Sequence, residues 1–136
     1  MTTTINASPT NGLVQTADGS GQIKIQSNGV TTNALAWVNF NGTGTVAINA
    51  SYNVSSITDN GTGDYTVNFT TALTNANYAA CISGSAGSGS GFTGQQNANL
   101  HPTVAQTSSA CRVVTSNTIS ASYIDYLTVT VSVFGN

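Results

Sequence analysis

Charge is what this chain has least of. Among its 136 residues only Lys24 and Arg112 are basic, only Asp18, Asp59, Asp64 and Asp125 are acidic, and Glu is absent. Charged residues make up 4% of the chain, against about 25% in an ordinary globular protein. Nucleic-acid binding needs a footprint of Lys and Arg that displaces counterions from phosphates, and two basic residues do not make one. A polybasic membrane-surface patch is excluded on the same ground. No apolar run approaches about 18 residues, so no segment reads as membrane-inserted. The opening "MTTTINASPTNG" lacks the basic region and apolar stretch of a signal peptide, and assembly in a reducing cytoplasm is expected.

The same scarcity removes most active-site chemistry. His101 is the only His; beside Pro102 in a polar stretch it reads as a surface-loop residue, and a metal site would need copies of it gathered around a threefold axis. Cys81 and Cys111 have no metal-site spacing and read as buried free thiols, with a disulfide across the segment between them as the alternative. Asp59 and Asp64 bracket an Asn-Gly-Thr-Gly turn and read as turn caps. With no Glu, a pair of catalytic carboxylates would have to come from such turn residues. The Ser residues have no G-x-S-x-G elbow, and "GSAGSGSG" is followed by no G-K-T and no helix. The expectation is no catalysis, no metal and no cofactor.

What remains is abundant Thr, Ser, Asn, Gly, Val, Ile and aromatics. Helix formers are nearly absent and no 3.6-residue apolar period appears. Period-2 alternation is clear. Ala36, Val38 and Phe40 share a face opposite Trp37. Tyr65, Val67 and Phe69 alternate with Thr66, Asn68 and Thr70. Tyr78, Ala80 and Ile82 oppose Cys81, and Leu127, Val129, Val131 and Val133 form one apolar row. The alternation slips between Val54 and Ile57, which predicts a bulge. Asn28-Gly29 signals a tight turn. The fold class expected is all-β: a β-sandwich or partly open barrel of about seven to nine mostly antiparallel strands with an N-terminal hairpin or arm. Residues 1–33 read as the arm and 34–136 as the head domain. Within the head, 84–108 is a Gly-, Ser- and Gln-rich segment longer than the ~12–15 residues usual for a structureless connection.

The stretch "TNALAWVNFNGTGTVAINASYNVSSITDNGTGDYTVNFTTALTNANYA" closely resembles a module of tail fibres and related appendage proteins of tailed bacteriophages and prophages. The lead-in "TINAS", "GLVQTADGSGQIKIQSNG" and "TTNALAWVNF", and the ending "DYLTVTVSVFG", resemble the same group. Against the long fibres the chain is expected to lack a shaft, and Asn49 stands in "TVAINAS" where a basic residue is usual.

The resemblance implies a homotrimeric fibre tip or spike on the virion, assembled in the host bacterial cytoplasm. Its arm would contact other virion proteins and its β-domain would meet bacterial surface polysaccharide. Thr31 to Ala36 would form the junction. Trp37, Phe40, Tyr65 and Phe69, with Leu127, Val129 and Val131, would form the framework, and Ser85, Phe92, Gln95, Gln96, Asn97, Asn99 and His101 the receptor-contact loop. A neutral amide- and hydroxyl-rich surface bearing Tyr and Trp suits sugar hydroxyls. The alternative is a purely structural capsid decoration, cement or tail-adaptor protein without receptor binding. Apolar groups on both faces of some strands, Trp37 opposite Val38 and Phe134 opposite Val133, also predict a neighbouring chain.

Overall fold

The computed structural model describes residues 25–27, 30–87, 96–117 and 122–135. Most of the arm, and Phe92 and Gln95 of the expected receptor loop, lie outside the described residues. Two short strands, β1 (Gln26–Ser27) and β2 (Val30–Thr31), pair antiparallel with Ser27 opposite Val30, on either side of the Asn28-Gly29 turn signal.

Beyond them the chain forms β3 (Ala36–Asn41), β4 (Ala47–Tyr52), β5 (Val54–Gly61), β6 (Asp64–Phe69), β7 (Tyr78–Ser85), β8 (Gln96–Leu100), β9 (Ala110–Asn117), β10 (Ser122–Tyr123) and β11 (Thr128–Gly135). All pairings are antiparallel. One sheet runs β4-β3-β11-β7. The other runs β5-β6-β9-β8, with β10 continuing the β6 side of β9. The fold is all-β, and the two sheets do not close into a barrel; of the two architectures the sequence left open, it is the sandwich.

The core is made where alternation gives each sheet one apolar face. Ala36, Val38 and Phe40 of β3 and Val129, Val131 and Val133 of β11 face Tyr65, Val67 and Phe69 of β6 and Cys111 and Val113 of β9. Phe40 meets Tyr65 edge-on with ring centroids 5.2 Å apart, and Phe69 meets Tyr78 in the same way at 5.8 Å. Such pairs add about 0.5–1.5 kcal/mol beyond area burial.

Asn53 alone carries the chain from β4 in one sheet to β5 in the other. Its φ of 54° is left-handed, a conformation Asn tolerates better than most residues. Its side chain donates to the carbonyls of Leu35 and Thr71 at 3.1 Å each and accepts from the Thr71 amide at 2.8 Å. The bulge expected between Val54 and Ile57 is the register shift between Val54 and Ser56, just past this corner.

At one end, Asp125 accepts from the Gly63 amide at 2.7 Å and the Tyr65 hydroxyl at 2.8 Å. The Gly42 amide donates to the Tyr126 carbonyl at 2.9 Å, and the Tyr126 hydroxyl donates to the Ser116 carbonyl at 2.8 Å. These bonds hold the crossing from β10 to β11 against both sheets. Gly63 has a φ of 63°, and a Cβ there would lie 2.5 Å from the Thr115 carbonyl oxygen, so the close approach requires glycine.

Three expectations are corrected. Leu127 precedes β11 and is 50% exposed, because the crossing ends there before the alternation enters the sheet. The 84–108 segment is not one loop: β8 pairs with β9 over Gln96 to Leu100, since Ala98 and Leu100 supply an inward row that its polar composition hid. Of the cysteines, only Cys111 is buried; Cys81 is exposed, and both are free thiols on strands of different sheets.

Candidate functional site

Any chemistry would be carried by the ionisable groups. Asp64 and Arg112 lie diagonally across β6 and β9, where Thr66 is opposite Arg112. Arg112 donates to both Asp64 oxygens, from Nε at 2.7 Å and from a terminal nitrogen at 2.6 Å. His101 Nε2 lies 3.9 Å from the same carboxylate, while its Nδ1 accepts from the Thr103 amide at 3.3 Å. The guanidinium, through its hydrogen bonds foremost, holds the Asp64 carboxyl below the usual carboxylate range, against desolvation acting the other way. Asp64 is therefore a partner of Arg112 and not the turn cap expected. Asp59 does cap its turn, accepting from the Gly61 amide at 2.9 Å. Burial, aided by Asp125, raises the Tyr65 hydroxyl well above its ordinary value. Burial also pushes the Cys111 thiol up to about 12, which leaves it inert as a nucleophile. Among the described residues no group of three or more His, Cys or Asp side chains is placed to hold a metal ion.

The outer face of the β5-β6-β9-β8 sheet is largely hydrogen-bonded to itself. Asn60 donates to the Thr66 hydroxyl at 2.9 Å, and Asn68 to the Thr58 hydroxyl at 2.9 Å and the Ser56 hydroxyl at 3.1 Å. Registers place Asn97 opposite Ser116 and Asn99 opposite Val114 on this face, in line with His101.

The fold thus brings together three of the expected receptor residues, Asn97, Asn99 and His101. It separates the others. Gln96 points to the opposite side of β8, where its side-chain oxygen accepts from the Ala86 amide at 3.1 Å. Ser85 pairs with Thr128 at the end of β7 and belongs to the other sheet. Two hollows flank β8: a groove of about 450 Å³ lined by Ala80, Ile82, Ala98, Asn99 and Leu100, and one of about 360 Å³ along Leu100 to Gln106.

The outer face of the β4-β3-β11-β7 sheet differs. Trp37 lies opposite Tyr52 on one side and Ser132 on the other, and Ser132 opposite Cys81. Trp37 is 38% exposed and Tyr52 36%. Two residues along, Asn39 lies opposite Ala50. The register then skips Asn49, whose amide donates to the Asn39 side-chain oxygen at 2.9 Å. The sequence reading used Trp37 as framework; the structure places it at the surface. The signal was present, since Trp37 opposes the apolar row of its own strand, but the partner Tyr52 depends on a strand register that includes a bulge.

No family model, curated protein or solved structure matches the chain.

Proposed function

We propose that the chain is a non-catalytic structural protein of a phage virion, a homotrimeric tail-fibre tip or spike whose β-domain contacts neutral glycans on the bacterial surface. The resemblance of the stretch from Thr32 to Ala79 to phage appendage modules supports the setting. The observation that carries the reading is the uncharged periphery. Each sheet ends in two edge strands; β4, β7 and β8 contain no charged residue, and β5 contains only Asp59. Exposed edges are ordinarily blunted with Lys, Pro or inward charges, because unpaired backbone groups recruit other chains. Bulges serve the same end, and β4 and β5 have register shifts, but β7 and β8 have no charge, no Pro and no register shift; edges so little protected suit a protein whose neighbours are copies of itself and other virion parts. Closed symmetry covers them without open-ended growth.

The charged groups support the absence of catalysis in the same way: Asp64 is held by Arg112, and Asp125 by Tyr65 and the Gly63 amide. In this reading residues 1–33 attach the head to the particle.

Immunogold labelling of the virions whose genome encodes the chain tests the proposal. Label confined to the tail tip or fibre ends is the expected result. Label spread over the capsid would make the chain a decoration or cement protein, and particles without label would overturn the virion assignment.

A further inference from the structure

We infer that the outer face of the β4-β3-β11-β7 sheet is a binding platform for a neutral polysaccharide, with Trp37 and Tyr52 as its stacking surface and Asn39 and Asn49 as its hydroxyl-recognising pair. The inference rests on the proposed glycan contact and places it on the face opposite Asn97, Asn99 and His101.

Among the described residues neither the Trp37 indole N–H nor the Tyr52 hydroxyl has a hydrogen-bond partner, and the two rings make no ring contact such as joins Phe40 to Tyr65. Ser132 opposite Trp37 and Ala50 opposite Asn39 are small, and each ring keeps a little more than a third of its residue's surface exposed. An aromatic face carries partial negative charge, and the C–H groups on a pyranose face carry partial positive charge. A sugar ring therefore lies flat on such a surface.

The amide pair supplies direction. Asn39 sits two residues from Trp37 on the same face of β3, about 7 Å along the strand. After the Asn49–Asn39 hydrogen bond, three amide N–H groups and one amide oxygen of the pair have no partner among the described residues, whichever way the two amides are turned. A donor beside an acceptor matches a hydroxyl, which does both. The charged groups Asp59, Asp64 and Arg112 all lie on strands of the other sheet. The face bears hydroxyl, amide and aromatic groups and the Cys81 thiol, with no charged residue on any of its four strands, and so matches an uncharged ligand.

Size argues against a protein occupant. An aromatic side chain offers about 150–250 Å² when fully exposed, so two rings exposed by little more than a third present on the order of 150 Å². A stable protein interface buries about 800 Å² on each partner around an apolar centre. Ser132, Thr130 and Ser83 are polar, and the exposed Cys81 and half-buried Phe134 on the same face leave the apolar area well below that of a protein interface.

Trp37 is the only Trp in the chain, so its emission reports on the platform directly. The full chain is titrated with a panel of neutral polysaccharides, including dextran, mannan and galactan, and binding is measured in parallel by affinity electrophoresis. The expected result is a saturable change in Trp37 emission with at least one polymer. Binding falls about tenfold or more in Tyr52→Ala and in Trp37→Ala and is unchanged in Ser56→Ala on the outer face of the other sheet. Trp37→Phe keeps a stacking ring and retains part of the binding, which separates lost stacking from a damaged fold. Full binding in both alanine variants would overturn the platform and leave the glycan-contacting function standing. Failure of the unaltered chain to bind any polymer would overturn both. A lower sedimentation mass in Trp37→Ala would assign the face to a second copy of the chain and overturn the platform.

Discussion

At the residue scale, the few polar groups inside the sandwich act as fasteners. Tyr65 is fully buried, and its hydroxyl donates to the Gly42 carbonyl at 3.0 Å or the Asp125 carboxylate at 2.8 Å. Tyr65→Phe keeps the ring against Phe40 and removes only the hydroxyl. The expected loss is about 1–2 kcal/mol in urea denaturation with an unchanged slope. Asp64 gives a pH signature. Its carboxyl is depressed in the folded chain, chiefly by Arg112, so the folded state holds its proton less tightly than the unfolded state. Its stabilising contribution is complete above the unfolded value of about 3.9 and disappears as pH falls through the lower folded value. Thermal melts at several pH values should show this contribution as a fall in Tm below about pH 4. Asp64→Asn should melt lower at neutral pH and have a shallower acid limb. The pairing of Asp64 with Arg112 was not legible from a sequence separation of 48; it needed the β6–β9 register.

At the element scale, the strands were legible and the transitions between sheets were not. Period-2 alternation identifies β3, β6 and β11 because each has one face that must leave water. It is silent on edge strands: all six residues of β4 are exposed, so its side chains do little to define its place. The β4–β5 corner depends on one residue, which makes it testable. Asn53→Ala removes the side-chain hydrogen bonds and places a Cβ-bearing residue without local polar support at a φ of 54°. A loss of about 2–3 kcal/mol is expected. Asn53→Gly relieves the backbone but not the lost bonds and should cost less. Equal losses, measured by chemical denaturation, would mean that the left-handed conformation contributes nothing. β8 shows the converse error. Its polar composition resembled a loop, yet β9 offers a free edge, and backbone pairing with two inward apolar side chains was enough to make a strand.

At the scale of the whole molecule, the expected assembly is a trimer. Sedimentation equilibrium at micromolar concentration should give about 41 kDa, three times the 13.8 kDa chain. A mass of one chain would remove the role assigned to the uncharged edges. A mass of two would keep it and discard the threefold symmetry, which comes from the phage resemblance.

By itself the sequence determined the all-β class, the inward rows of the central strands and the near absence of charge. These are local or additive properties: side-chain alternation has a fixed period, and composition has no geometry. Only the tertiary structure decided that the two sheets remain an open sandwich. It also decided that Asp64 meets Arg112, that the expected receptor residues divide between faces, and that Trp37 and Tyr52 stand side by side in front of an amide pair. Each of these depends on which strands pair and in what register. A one-residue bulge at Asn49 or a one-residue corner at Asn53 changes which side chains share a surface.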